Sequence, residues 1–121
     1  MEWDVYFTDQ FGEWWETLDE GLQESVDAKV ILLQRVGPSL GRPHADVIHT
    51  SKHANMKELV IQHEGEPYRV FFAFDPNREG ILLMGGAKVG DKRFYERHVP
   101  IADALFDEHL SSLRRKEKEN G

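Results

Sequence analysis

The sequence predicts an α+β fold, in which a small antiparallel sheet carries two N-terminal helices on one face, together with a C-terminal helix, in the order β-α-α-β-β-β-α. Three observations predict it. Apolar residues recur at helical spacing between Phe11 and Leu33 and again after Pro100. Three short apolar runs between Lys57 and Lys88 are separated by turn-forming residues. At 121 residues and 40% hydrophobic content the chain can bury one core, so 1–121 reads as a single domain.

Each element has its own signature. Trp3, Val5 and Phe7 alternate with Asp4, Tyr6 and Thr8, the period of a half-buried first strand. From about Phe11 the spacing changes: Trp14, Trp15 and Leu18, then Leu22, Val26, Val30 and Leu33, recur at helical intervals. Asp19 and Gly21 mark a break between two helices, and Gly37-Pro38 ends the second. The paired tryptophans are expected in the core, where helix-to-sheet packing uses such rings. Residues 37–55 have no clear periodicity and read as a long loop, a feature that in small domains often carries function. Lys57 to His63, Tyr68 to Asp75 and Gly80 to Lys88 then form a meander, because Glu64-Gly65-Glu66-Pro67 and Asp75-Pro76-Asn77-Arg78-Glu79-Gly80 are turn sequences. The last two strands are expected to be central, since YRVFFAF and ILLM leave few polar positions on either face. After Pro100, Ala102, Leu105, Phe106, His109, Leu110 and Leu113 describe an amphipathic helix whose Arg114, Arg115, Lys116 and Lys118 complement the helix dipole. Residues 114–121 are expected to fray.

Composition excludes several chemistries. Without cysteine there is no disulfide, thiol nucleophile or cysteine-bound zinc. No apolar run approaches the roughly 18 residues of a membrane span, and MEWDVYFTDQ lacks the order of a signal peptide, so a cytoplasmic protein is expected. The formal charge of −7 argues against a nucleic-acid partner until its distribution is considered. Residues 1–36 hold nine acids and two bases, which equals the whole imbalance, and the remainder holds 13 of each sign. A balanced half can still carry a basic patch, with the acidic half facing elsewhere. His44, His49 and His53 lie in irregular sequence and read as solvated loop residues rather than metal ligands. Gly85-Gly86-Ala87-Lys88 lacks the full phosphate-loop pattern, and no serine sits in the strand-to-helix setting of a nucleophile.

One cluster remains. Arg69 is a lone cation inside an apolar strand, and an unpaired buried charge is too costly, so it must meet a carboxylate, Glu58 or Asp75, line a cleft, or snorkel. Lys88 ends the adjoining strand and Lys57 opens the one on the other side, although strict alternation puts Lys57 on the face of Leu59 and Ile61. Beyond Lys88, Lys92, Arg93 and Arg97 surround the aromatic pair Phe94 and Tyr95. Cations beside rings suit a phosphate with flanking bases. Such a site suits RNA cleavage, in which a 2′-hydroxyl attacks the adjacent phosphodiester with help from a base, cations and an acid, and with no cofactor.

The stretch Ser51-Lys52-His53-Ala54-Asn55-Met56-Lys57-Glu58-Leu59, the strand Tyr68-Arg69-Val70 ending in Phe74-Asp75-Pro76, and Gly86-Ala87-Lys88-Val89-Gly90 followed by Lys92-Arg93-Phe94-Tyr95 together resemble the RelE/ParE toxin superfamily. Ile101-Ala102-Asp103 and His109-Leu110 bring the resemblance nearest to its phage-derived, HigB-like toxins of type II toxin-antitoxin modules. The resemblance implies the RelE-like fold and a metal-independent endoribonuclease that cleaves messenger RNA in the ribosomal A site, neutralised by a cognate antitoxin with a helix-turn-helix domain. It implies catalytic roles for Arg69, Lys88 and Lys57, and RNA contacts through Arg93, Phe94, Tyr95, Lys92 and Lys52. His98, His53 and Tyr95 are candidates for the general base, and a lysine with lowered pKa is another. Val60 departs from the pattern, standing where related sequences often carry arginine. Two other readings use the same scaffold: a ParE-like inhibitor of DNA gyrase without nuclease chemistry, and an inactive partner of a DNA-binding antitoxin.

Overall fold

Residues 2–120 are described by a computed structural model. The elements are β1 (Val5–Phe7), α1 (Asp9–Glu16), α2 (Glu20–Val36), a 3-10 turn (Gly37–Ser39), β2 (Ala45–Val47), β3 (Lys57–His63), β4 (Glu66–Phe74), β5 (Gly80–Ala87) and α3 (Phe94–Asn120). They form one five-stranded sheet in the order β1-β5-β4-β3-β2.

Local chemistry fixes the boundaries. Thr8 caps α1 by accepting from the Phe11 N–H, and Asp19 caps α2 by accepting from the Leu22 N–H at 2.8 Å. Gly37 closes α2 in a conformation (φ 79°) that disfavours a side chain, and a Cβ there would strike Trp3. β3, β4 and β5 form the expected antiparallel meander. Two pairings add to it: β1 runs parallel to β5 at the sheet's edge, and Ala45–Val47, inside the segment read as loop, pairs with β3. β2 has only three residues, and the irregular sequence around it does not extend their alternation as Trp3 and Asp4 extend that of β1.

The sheet is covered on both sides, which explains why β4 and β5 are apolar on both faces. Val70, Phe72 and Leu82 pack under α1 and α2 with Phe11, Leu22, Val26 and Leu33, and both Trp14 and Trp15 lie against this core. Phe71, Ala73, Ile81 and Leu83 pack under α3 with Phe94, Val99, Ala102 and Phe106. The C-terminal helix thus lies opposite the N-terminal pair. It starts at Phe94, before Pro100 rather than after it, and runs 27 residues through the tail expected to fray. Pro100 removes one backbone hydrogen bond from the early turns, and burial of Phe94 and Val99 beside it offsets that cost. Among the described residues no helix is long and apolar enough to cross a membrane.

Candidate functional site

The alternation of β3 and β4 sorts their side chains between the two cores. Leu59 and Ile61 face α1 and α2, so Glu58 faces α3; Val70 and Phe72 do the same on β4, so Arg69 and Phe71 face α3. Glu58 and Arg69 lie diagonally across the β3–β4 pair, and Gly86 of β5 stands opposite Arg69 on its other side. Gly86 carries no side chain, which leaves the surface of β5 beside Arg69 open to α3.

Into this position fall four groups. Arg69 Nε donates to Glu58 Oε1 at 3.0 Å, and its Nη1 donates to the Tyr68 carbonyl. Tyr95, in the first turn of α3, donates its hydroxyl to the same Glu58 Oε1 at 2.8 Å. Lys88, just past β5, places its ammonium 5.1 Å from the centre of the Tyr95 ring. The side chains of Arg69 and Glu58 are only 13% and 7% exposed. Glu58 Oε2 is buried without a hydrogen-bond partner, an uncommon state for a carboxylate oxygen. Burial raises the Glu58 carboxyl above its ordinary range, against the pull of Tyr95, Arg69 and Lys88. Burial, and then the Glu58 carboxylate, push the Tyr95 phenol up to about 12, so it keeps its proton at neutral pH.

On the β5 side of Arg69, His98 stacks on Phe94 with centroids 4.4 Å apart, and its Nδ1 lies 2.7 Å from the Phe94 carbonyl oxygen. A carbonyl can only accept, so Nδ1 carries a hydrogen. Nε2 looks toward Gly86, where a Cβ would lie 3.8 Å away. Arg69 therefore stands between a carboxylate on β3 and an imidazole over β5.

The other expected site residues are distributed differently. Lys57 is turned away: its ammonium donates to the Pro38 carbonyl at 3.0 Å and to that of Leu40, and burial lowers its pKa. It belongs with the α2 face, as strict alternation required, and not with Arg69. Phe94 is 1% exposed and stacks on Phe71, so it is core and not a platform for a base. Lys52 pairs with Asp107 at 2.5 Å, three turns along α3 from Tyr95, a helical distance of about 18 Å. Lys92 and Arg93 are exposed beside the site, while Arg97 is held by Asp91. Asp75, the other possible partner for Arg69, instead accepts from His109 and from the Asn77 and Glu79 N–H groups.

Glu58 is the member whose importance the sequence understates. It is visible there only as a possible partner for Arg69; its burial and its bond to Tyr95 depend on where α3 lands. The loop before β3 is also ordered by α3. Asp103 accepts from Ser51 Oγ at 2.5 Å and from the Lys52 N–H, and Asp107 contacts His53 at 2.8 Å.

A family model described as phage derived protein Gp49-like (DUF891) matches residues 13–107, which include Glu58, Arg69, Lys88, Tyr95 and His98. Two relatives come from Mycobacterium tuberculosis (strain ATCC 25618 / H37Rv). The protein named "Putative toxin HigB3" is 41% identical over 109 residues, covering 89% of this chain and 94% of that protein. The protein named "Putative toxin HigB2" is 37% identical over 118 residues, covering 91% of this chain but 59% of that longer protein.

Proposed function

The chain belongs to the phage-derived Gp49-like family, and on that premise we propose that it is the toxin of a toxin-antitoxin module, acting in the cytoplasm by cleaving messenger RNA in the ribosomal A site. The observation that carries this reading is the cluster of Glu58, Arg69, Tyr95 and Lys88, in which a buried carboxylate of raised pKa meets two cations. The names of its relatives support the toxin role.

The chemistry follows from the groups present. In the free protein Arg69 and Tyr95 occupy Glu58, and its second oxygen is shielded. An arriving phosphodiester draws the Arg69 guanidinium toward itself, because a phosphate accepts the forked donors bidentately, whereas Glu58 accepts only Nε–H from Arg69. Glu58 then takes the proton of the 2′-hydroxyl, the 2′-oxygen bonds to phosphorus, and the bond from phosphorus to the 5′-oxygen breaks. Arg69 and Lys88 hold the charge that develops on the phosphoryl oxygens. Tyr95 keeps Glu58 oriented. In this reading His98, on the far side of Arg69, acts as the imidazolium: Nδ1–H stays on the Phe94 carbonyl and Nε2–H passes its proton to the leaving 5′-oxygen, leaving the neutral imidazole. The products are a 2′,3′-cyclic phosphate and a 5′-hydroxyl. Exposed Lys92 and Arg93 lie where the flanking RNA backbone would run.

The test is primer extension on a defined message in a reconstituted translation system, with and without ribosomes, comparing wild type with Glu58→Gln, Lys88→Ala and His98→Gln. Ribosome-dependent cleavage that falls by roughly 10²-fold or more in Glu58→Gln is the expected result. Intact message at high doses of folded wild-type protein overturns the nuclease reading, and DNA damage with intact messages in expressing cells would move the target to gyrase.

A further inference from the structure

On the opposite side of the sheet, the edge formed by β1 is unfinished. Its Tyr6 and Phe7 side chains are 52% and 65% exposed, unusual for adjacent aromatic residues. The Gly80 N–H donates to the Asp4 carbonyl, and the Thr8 N–H donates to the Leu82 carbonyl. In a parallel ladder this alternation turns the N–H and C=O groups of Val5 and Phe7 away from β5, toward the open edge. Such a row of groups is a template for another strand.

Beside that edge lies a groove of about 420 Å³ between β1 and the helical layer. Its walls are apolar, formed by Val5, Phe7, Phe11 and Trp15, and its rim carries Glu16 and Asp27. The segment that builds the groove is acidic as a whole, since residues 1–36 carry nine acids against Lys29 and Arg35. Lys29 is engaged with His44 at 2.9 Å. On the other face of β1, the carboxylates of Glu79 and Asp4 lie close enough to the Tyr6 phenol to raise its pKa.

We propose that this edge and groove form the docking site for an extended, cationic, apolar segment of a protein partner, which adds as a strand to β1 and presents, at alternate positions that share the groove face, apolar side chains to Phe7, Phe11 and Trp15 and lysines or arginines to Glu16 and Asp27. Main-chain pairing supplies the affinity and the acidic rim supplies selection by charge. The site lies on the α1–α2 side, whereas Glu58 and Arg69 face α3. An occupant there leaves the cluster uncovered, so it would act by bulk or by holding the chain away from its target. Identifying the occupant with an antitoxin rests on the toxin reading; the docking itself does not.

The experiment uses the full chain and two ten-residue peptides with threonine at every second position and valines and lysines at the positions between, so that both share one strand face, the second peptide having glutamate in place of lysine, followed by calorimetry and by amide NMR. The lysine peptide is expected to bind roughly tenfold or more tightly than its acidic counterpart, perturbing the amides of residues 5–8 and the Trp15 indole. Glu16→Lys/Asp27→Lys is expected to reverse that preference, and the wild-type comparison stands if this variant fails to fold. Equal binding of both peptides, perturbations mapping to α3, or no binding would overturn the proposal. So would sedimentation showing a dimer of the free chain that Phe7→Lys dissociates, since the occupant would then be a second copy. None of these results depends on RNA cleavage, so the two readings fail separately.

Discussion

Arg69→Ala tests the central contact most directly. The substitution leaves the Glu58 carboxylate in a site where its side chain is 7% exposed, with the Tyr95 hydroxyl as its remaining donor. Removing one partner of a buried ion pair costs about 3–5 kcal/mol. The lower end, about 3 kcal/mol, is expected here, because Arg69 is not fully buried and Glu58 can bind a proton. For a chain of this size that lowers Tm by on the order of 10 °C. Glu58→Gln preserves shape and an acceptor for Tyr95, so it should cost about 1–2 kcal/mol. The double variant no longer buries a lone charge, and its loss should fall short of the sum by about 1.5–3 kcal/mol. The pH dependence has a definite sign. The folded-state pKa of Glu58 is raised, so its contribution to stability is present at low pH and is lost as pH rises through that folded pKa. Arg69 opposes the shift, so the Arg69→Ala deficit should widen as pH rises through the raised Glu58 pKa toward neutrality. Urea and thermal unfolding followed by circular dichroism measure all four proteins. An Arg69→Ala variant within about 2 °C of wild type, or strict additivity in the cycle, would refute the buried-pair account. On the proposed nuclease reading, any loss of toxicity in Arg69→Ala would combine chemistry with stability, and Glu58→Gln and Lys88→Ala would be cleaner probes of catalysis.

Other expectations follow from the same geometry. The acid limb of cleavage against pH should lie above the ordinary carboxylate range and disappear in Glu58→Gln; a limb unchanged in that variant removes Glu58 as the base. Lys88→Ala should reduce kcat by roughly 10²-fold with little change in Tm, whereas Lys57→Ala should leave kcat intact and lose about 1 kcal/mol through its bonds to the Pro38 and Leu40 carbonyls; single-turnover cleavage and thermal melts separate the two. Gly85→Ala should destabilise by about 1–3 kcal/mol, because a Cβ there would lie 2.4 Å from the Trp14 ring, and a neutral melt would contradict that packing. Asp103→Ala should release Ser51 and Lys52 and speed proteolysis within residues 50–53, with unchanged cleavage rates arguing against that tether.

The long periodic elements were legible because periodicity is a local property. The alternation of β3 to β5, the helical spacing of Leu22, Val26 and Leu33, and the isolated cation Arg69 can each be read within a few residues, and the resemblance extended them to a family. Residues 114–120 of the tail continue α3, and the segment read as loop contains β2; neither carries an apolar period of its own. Lys57 shows the limit more sharply. Its sequence neighbours suggested the cation cluster, its strand parity opposed it, and parity decided, because a strand cannot rotate one side chain across the sheet without moving Leu59 and Ile61 out of the core.

The sequence by itself determined the α+β class, the antiparallel meander, the apolar centre at β4 and β5 and the need for Arg69 to find a partner. Only the tertiary structure decided which partner and which face. α3 lies against the side opposite α1 and α2, which buries Phe94, brings the Tyr95 hydroxyl to Glu58, sets His98 over Gly86 and leaves the β1 edge open. Those outcomes depend on contacts between residues 37 positions apart, as in Tyr95 and Glu58, and no local pattern encodes the direction from which a distant helix approaches.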